Sequence, residues 1–213
     1  MVKSYNETDA IKVFENLGNG CYQMKWAVTP VVEKDKETGE EKETTLSSYM
    51  MERYNYKPSM DLVLSDILSS GEQASMAEIK AICEGLEVEP LEYMRKALLE
   101  YITAYDASDK VNSFMLNDAP VWLDKATRVG LMNSTTIEKN SGNENTTLWL
   151  GSIKLEVNCD TAIQLLSSLE LYALSCFNIT AAHKKAVQEL ATVDELLAYD
   201  YTTGYPEKLT MTV

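Results

Sequence analysis

Histidine is nearly absent from this chain: His183 is the only one in 213 residues. A Ser-His-Asp or Cys-His arrangement would have to be built on it. It lies next to Lys184 and Lys185 in the first turn of a predicted helix, where an ordinary, partly exposed helix residue is the simpler assignment. The four cysteines, Cys21, Cys83, Cys159 and Cys176, are scattered without a CxxC pair. That spacing suits neither a zinc site nor a disulfide framework, and buried free thiols are expected. Only nine glycines occur, and neither GxxxxGK nor GxGxxG is among their contexts, so no phosphate-cradling loop is expected. The segment Asp35 to Glu41 lacks the alternating acids and terminal Glu of a calcium loop. Ten methionines and twelve tyrosines recur at helical spacings, which points to core and protein contact rather than to a ligand pocket. No catalytic, cofactor-binding or metal-binding residue is assigned, no cofactor is expected, and the chain is not expected to be an enzyme.

Long apolar runs are missing too. No stretch approaches the roughly 18 residues that a spanning helix needs, and Met1 to Glu7 has no apolar signal core. Synthesis in the cytoplasm is therefore expected. On that route the Asn-x-Thr sequons at Asn6, Asn133, Asn145 and Asn178 carry no meaning as glycan sites. Basic residues are scarce, 19 against 33 acidic, for a formal net charge of -14. Such a surface repels phosphate backbones and anionic lipid heads, so neither nucleic acid nor membrane is an expected partner.

What is present is ordinary globular material. Apolar residues make up 45% of the chain, enough for a core. Ile11, Val13, Phe14 and Leu17 predict a short helix over 5–17, stopped by Gly18-Asn19-Gly20. Tyr22, Met24, Trp26 and Val28 alternate with polar residues, the period of a half-buried strand. The charged run 33–42 reads as a solvated hairpin tip, with a return strand over 44–56. Ser59 is placed to cap a helix carrying Met60, Val63, Leu64 and Ile67 on one face. Ser75 and Glu78 form a capping box for a second helix that Gly85 is expected to end. After Pro90, the residues Leu91, Met94, Leu98, Tyr101 and Tyr105 make a seam for another helix, within the chain by default.

Residues 106–120 are weakly patterned and are the expected domain boundary. A helix is predicted from Val121 and Trp122 through Ala126, Val129 and Met132 to Lys139. Strands 146–150 and 153–157 flank Gly151-Ser152, the chemistry of a type II′ hairpin turn. Asp160 is placed to cap a helix striped by Ala162, Leu165, Leu166, Leu169, Tyr172, Ala173 and Cys176. The extra bulk of Ile163, Leu171 and Leu174 predicts cover on more than one side. Thr180 is read as the cap of a further helix, and Thr192 with Glu195 as a second capping box. The expected fold is α+β and predominantly helical. It divides into an N-terminal strand pair with a short leading helix (1–57), a helical middle (58–118), and a C-terminal module of helix, β-hairpin and helices (119–213).

Several stretches of that module also carry a resemblance. They are Thr147-Leu148-Trp149, the strand end Val157 to Asp160, Leu169-Glu170-Leu171-Tyr172-Ala173, Asn178-x-Thr180-x-x-His183, and the ending Tyr199 to Leu209. Over residues 128–209 the chain resembles a domain family found near the C-terminus of phage and prophage proteins, often encoded beside tail fibres. Further upstream, Glu52 to Ser59 looks similar to segments that neighbour this domain. The resemblance implies a structural component of a bacteriophage virion, in the tail, fibre-attachment or neck region, acting through protein–protein contacts. The alternative is a tail-fibre assembly chaperone that is absent from the mature particle. The implied partners are other phage structural proteins, with a homo-oligomer as one option. The implied location is the virion, after synthesis in the host cytoplasm. The resemblance brings no active residues with it.

Overall fold

The computed structural model describes residues 1–6, 11–34, 38 and 40–212. The fold is mixed α+β, with 47% helix and 27% strand. Strands thus carry more of it than the expected helical dominance allows. By contacts along the chain the molecule divides into two compact units. Unit 1 is Met1–Tyr101 with Val187–Tyr199, and unit 2 is Ile102–Ala186 with Asp200–Val213. Unit 1 holds 22 acidic and 11 basic residues (net -11), unit 2 holds 11 and 8 (net -3), so the acidity is concentrated in unit 1.

Unit 1 begins with strands β1 (Val2–Asn6), β2 (Phe14–Gly18), β3 (Cys21–Lys34) and β4 (Glu41–Tyr54), all antiparallel in the order β1-β4-β3-β2. The helix expected over 5–17 is therefore wrong wherever the residues are described; residues 7–10 lie outside them. The i, i+3 spacing of Ile11, Phe14 and Leu17 fits a helix, but pairing with β3 decides the outcome, and that is a contact the local sequence does not contain. The predicted strand and return strand are β3 and β4, paired out to Lys34 and Glu41. Of the expected hairpin tip, residues 35–37 and 39 lie outside the described residues.

The alternation in β3 is only half right. Met24 and Trp26 are fully buried, yet Gln23 and Lys25 on the opposite face are also buried. A polar network covers that face. The Lys25 ammonium donates to Glu15 Oε2 at 2.6 Å, Gln23 Nε2 donates to the same oxygen at 3.0 Å, and Arg53 Nε donates to Gln23 Oε1 at 2.6 Å. The hydrogen bond from Lys25 holds the Glu15 carboxyl below its ordinary value. A depressed carboxylate contributes stability that is complete above the ordinary value of 4.5 and is lost as pH falls through the lowered one. Thermal melts of wild type and Glu15→Gln are therefore expected to differ at pH 6 and to converge on acidification below 4.5. A gap that stays constant down to pH 3 would contradict this.

Helix α1 (Met60–Ser69) is capped by Ser59, and α2 (Met76–Leu86) by the Ser75–Glu78 box, as expected. Gly85 does not end α2; Glu87 does, in the left-handed region at φ 61°. Helix α3 (Leu91–Asp106) has Met94, Leu98 and Tyr101 buried within the chain. Tyr54 ties the sheet to α1 by donating its hydroxyl to Asp66 Oδ2 at 2.6 Å.

Unit 2 starts at Ile102. Residues 106–120, weakly patterned in sequence and the expected domain boundary, include α4 (Asp109–Asn112) and lead into the hairpin β5 (Phe114–Leu116) and β6 (Ala119–Val121). Asn117 and Asp118, both at positive φ, make its turn. Helix α5 (Lys125–Asn140) is capped by Asp124, so Val121 and Trp122 precede it rather than belong to it. Strands β7 (Asn145–Leu150) and β8 (Ile153–Asn158) form the expected hairpin, with Gly151 at φ 63°. Helix α6 (Cys159–Glu189) follows directly. Its first turn is held by Asn158, whose Oδ1 accepts from Asp160 N at 2.8 Å, so Asp160 is not the cap. It also runs straight through Thr180, where a new helix was expected. The Thr180 hydroxyl bonds distant residues instead of capping a local turn.

The predicted α6 stripe is buried as a set, and all of it but Ala173 packs on Val111, Phe114, Leu116, Val121, Leu148 and Leu150. At 31 residues, α6 is the one helix among the described residues long and apolar enough to cross a membrane by length and composition, which a search for an unbroken apolar run does not pick out. Strand β9 (Thr210–Met211) adds to β5 in parallel, and α7 (Val193–Ala198), with its Thr192–Glu195 capping box, returns to unit 1.

Candidate functional site

The residues that sequence reading tested for chemistry are occupied structurally. His183 Nε2 lies 2.9 Å from the Thr203 carbonyl, and the ring stacks at 5.7 Å from Tyr205. Cys176 is buried, its thiol donates to the Val111 carbonyl, and burial pushes it above its ordinary value. Burial likewise pushes the Cys83 thiol up to about 11. Neither is poised as a thiolate nucleophile. Cys83, Cys159 and Cys176 are buried and unpaired, and Cys21 is partly exposed. Native labelling with a thiol reagent is expected to modify Cys21 alone, and all four after denaturation; rapid native labelling at two or more sites would contradict this packing. Among the described residues no group of three or more His, Cys, Asp or Glu side chains is placed to hold a metal ion.

One concave feature of unit 2 is an open cleft of about 470 Å³. One wall is the start of α5. Asp124 accepts the Thr127 hydroxyl at 2.6 Å and the Thr127 N–H at 2.9 Å, and these bonds hold its carboxyl below the ordinary range. That cap fixes the turn from which Trp122 projects, 44% exposed. Four residues further on, Arg128 points inward. Its Nε donates to Glu170 Oε1 at 2.8 Å and its Nη1 to the Leu123 carbonyl at 2.8 Å. Arg128 is buried, whereas Ala126 and Val129, from which the helix was predicted, are exposed. An arginine in a helix gives no local sign that it will be buried, because its partner lies 42 residues away.

The opposite wall is α6, whose residues Glu170, Ala173, Leu174 and Phe177 share one side by the i, i+3, i+4, i+7 rule. Of the residues expected to be covered on a second side of α6, Ile163 is half-buried, but Leu171 is 66% and Leu174 53% exposed among the described residues, and Phe177 beside them is 61% exposed. The floor at the end of α3 is set by Asp106. Its Oδ1 accepts the Thr180 hydroxyl at 2.7 Å, and its carbonyl accepts from Asn112 Nδ2 at 3.0 Å. Thr180 also bonds the Tyr205 hydroxyl at 3.0 Å, and Tyr105 packs against both Tyr201 and Tyr205. Tyr172 donates to the Val111 carbonyl at 2.9 Å, and burial pushes its phenol up to about 12.

Comparison of the chain with family models, with curated proteins and with solved structures finds no match. The site therefore speaks through its own geometry. Most of its charged groups are engaged in structure: Arg128 with Glu170, Asp124 with the α5 N-terminus, Asp106 with Thr180. What the cleft presents outward is Trp122, Leu174 and Phe177, with Lys125 exposed beside them. An exposed apolar patch beside a concavity marks an interaction surface, and an exposed tryptophan within it is a usual anchor of protein–protein contact.

Proposed function

We propose that this chain is a structural component of a bacteriophage particle, in the tail, fibre-attachment or neck region, and that it works by binding other proteins through the unit 2 cleft and the exposed side of α6. The observation that carries the binding part is the contiguous exposure of Trp122, Leu171, Leu174 and Phe177 on a chain that is otherwise rich in charge. The phage assignment draws its support from the resemblance over residues 128–209. In the structure the quoted residues act together. Glu170 holds Arg128, Tyr172 holds α4, Thr180 joins Asp106 to Tyr205, and His183 meets Thr203 of the characteristic ending. One pattern thus maintains one set of walls. We read α6 as the central helix of unit 2, because six residues of one stripe, Ala162, Leu165, Leu166, Leu169, Tyr172 and Cys176, are packed in the core.

Mass spectrometry of purified particles of the encoding phage tests the proposal: the chain is expected at a stoichiometric copy number. Its absence from particles, together with a raised yield of soluble fibre on co-expression, would favour the fibre chaperone instead. Absence without any effect on fibre yield would remove both.

A further inference from the structure

The unit 2 cleft holds a hydrogen-bond donor and acceptors that the chain itself leaves unused. We propose that it takes the main chain of an uncharged, extended segment of a partner protein, with a peptide carbonyl on Arg128 Nη2 and a peptide N–H on Asp106 Oδ2. This rests on reading the cleft as a protein-binding surface, and names the chemistry of what it binds. Arg128 is only 7% exposed. Two of its guanidinium nitrogens are engaged, Nε by Glu170 and Nη1 by the Leu123 carbonyl. Among the described residues Nη2 has no acceptor, and it is not sealed in the core, so it opens into the cleft that Arg128 lines. A charged donor held this far out of bulk water gains most from an acceptor that fits it. On the floor, Asp106 Oδ2 is unused, since Oδ1 takes the Thr180 hydroxyl. Asn112 Oδ1 is unused as well, since its Nδ2 is bound to the Asp106 carbonyl.

Charge selects an uncharged occupant. The cleft is lined by two basic residues, Lys125 and Arg128, and three acidic ones, Asp106, Asp124 and Glu170, a net charge of -1. A carboxylate brought to Arg128 would meet Glu170 on the same guanidinium, and an ammonium brought to Asp106 would share the space with Arg128 and Lys125. A peptide group supplies an acceptor and a donor without charge. In an extended chain the N–H and C=O of one residue leave the same edge, which matches a donor and an acceptor set in one cleft. Successive side chains then point to opposite sides. One meets Trp122 on the α5 wall and the next meets Leu174 and Phe177 on the α6 wall, which accounts for apolar side chains left exposed on both. A volume of about 470 Å³ suits a short segment of this kind.

Titration of the nitrogen-labelled full chain with the uncharged probe N-acetyl-leucyl-phenylalaninamide, followed by magnetic resonance, tests this. The indole N–H signals carry their own controls: Trp122 lines the cleft, Trp26 donates to Ser70 and Trp149 lies on β7. A saturable shift of the Trp122 signal alone is expected, at millimolar probe. N-acetyl-leucyl-phenylalanine, with a free carboxylate, and leucyl-phenylalaninamide, with a free amine, are each expected to bind at least about fivefold more weakly. Asp106→Asn keeps an oxygen for Thr180 and turns the unused oxygen into a donor; it is expected to weaken the uncharged probe about tenfold. Trp122→Ala, at an exposed position that leaves the fold intact, is expected to weaken it as much, read on the Arg128 Nε–H signal. Tighter binding of either charged probe, an Asp106→Asn chain that binds like wild type, or a shift at Trp149 without one at Trp122 would overturn the proposal. A chain indifferent to all three probes yet stoichiometric in particles would overturn the peptide-group assignment alone and leave the protein-binding function standing.

Discussion

Replacing Glu78 by alanine is expected to destabilise unit 1 by about 3 kcal/mol, a large share of what one unit of this size has. Strand β3 carries a bulge between Trp26 and Thr29, with Ala27 in the left-handed region at φ 52°. A bulge takes backbone N–H groups out of the ladder. Here the Ala27 and Val28 N–H groups, so released, donate to the two oxygens of Glu78 at 3.2 and 2.9 Å. The same carboxylate accepts the Ser75 N–H at 2.7 Å and so closes the capping box of α2. One buried side chain therefore satisfies three backbone donors and joins the sheet to the helix. Alanine orphans all three, at roughly 1–3 kcal/mol for each that stays away from water. Glutamine keeps one acceptor oxygen and is expected to lose about half as much. Urea unfolding followed by the buried Trp26, in a Trp122→Phe, Trp149→Phe background, measures it. A loss below about 0.5 kcal/mol for Glu78→Ala would contradict the assigned role.

The second large effect runs against helix propensity. In an exposed helix interior, exchanging glycine for alanine gains about 1 kcal/mol. At Gly85 it is expected to cost about 2 kcal/mol net, because a Cβ there would clash with the Phe14 ring and overpacking of this kind costs 1–3 kcal/mol or more. Phe14 sits on β2, the sheet edge that α2 covers, and its ring fills the space over the glycine. Phe14→Ala combined with Gly85→Ala is expected to recover part of the loss, giving a coupling of about 1 kcal/mol or more in a double-mutant cycle. Additive effects, or a stabilised Gly85→Ala, would show that the ring is not held there.

Both features mark where sequence reading ran out. The capping box at Ser75–Glu78 was legible, because it is a three-residue pattern; that the same carboxylate would hold a bulge some fifty residues away was not. Gly85 looked like a helix stop because glycine often is one, and only Phe14 explains why it sits inside α2. The β7–β8 hairpin and the inward stripe of α6 were read correctly, since a two-residue turn and a 3.6-residue period are local. Thr180 misled because threonine bonds equally well to a helix start or, as here, to Asp106 and Tyr205. For the candidate site, the apolar residues of α6 were visible, but their exposure was not. Whether Leu171 and Leu174 are covered depends on what other elements reach them, and among the described residues both stay more than half exposed.

The central claim is that this uncovered surface places the chain in its assembly. The most direct measurement is competitive incorporation. A phage deleted for the gene is complemented with equal amounts of wild type and of a Leu174→Glu, Phe177→Asp variant, distinguished by isotope label, and purified particles are analysed by mass spectrometry. Both substitutions are at exposed positions, so the variant is expected to melt within a few degrees of wild type. The account predicts particles that contain wild type and at least tenfold less of the variant. Equal incorporation of the two chains would contradict it.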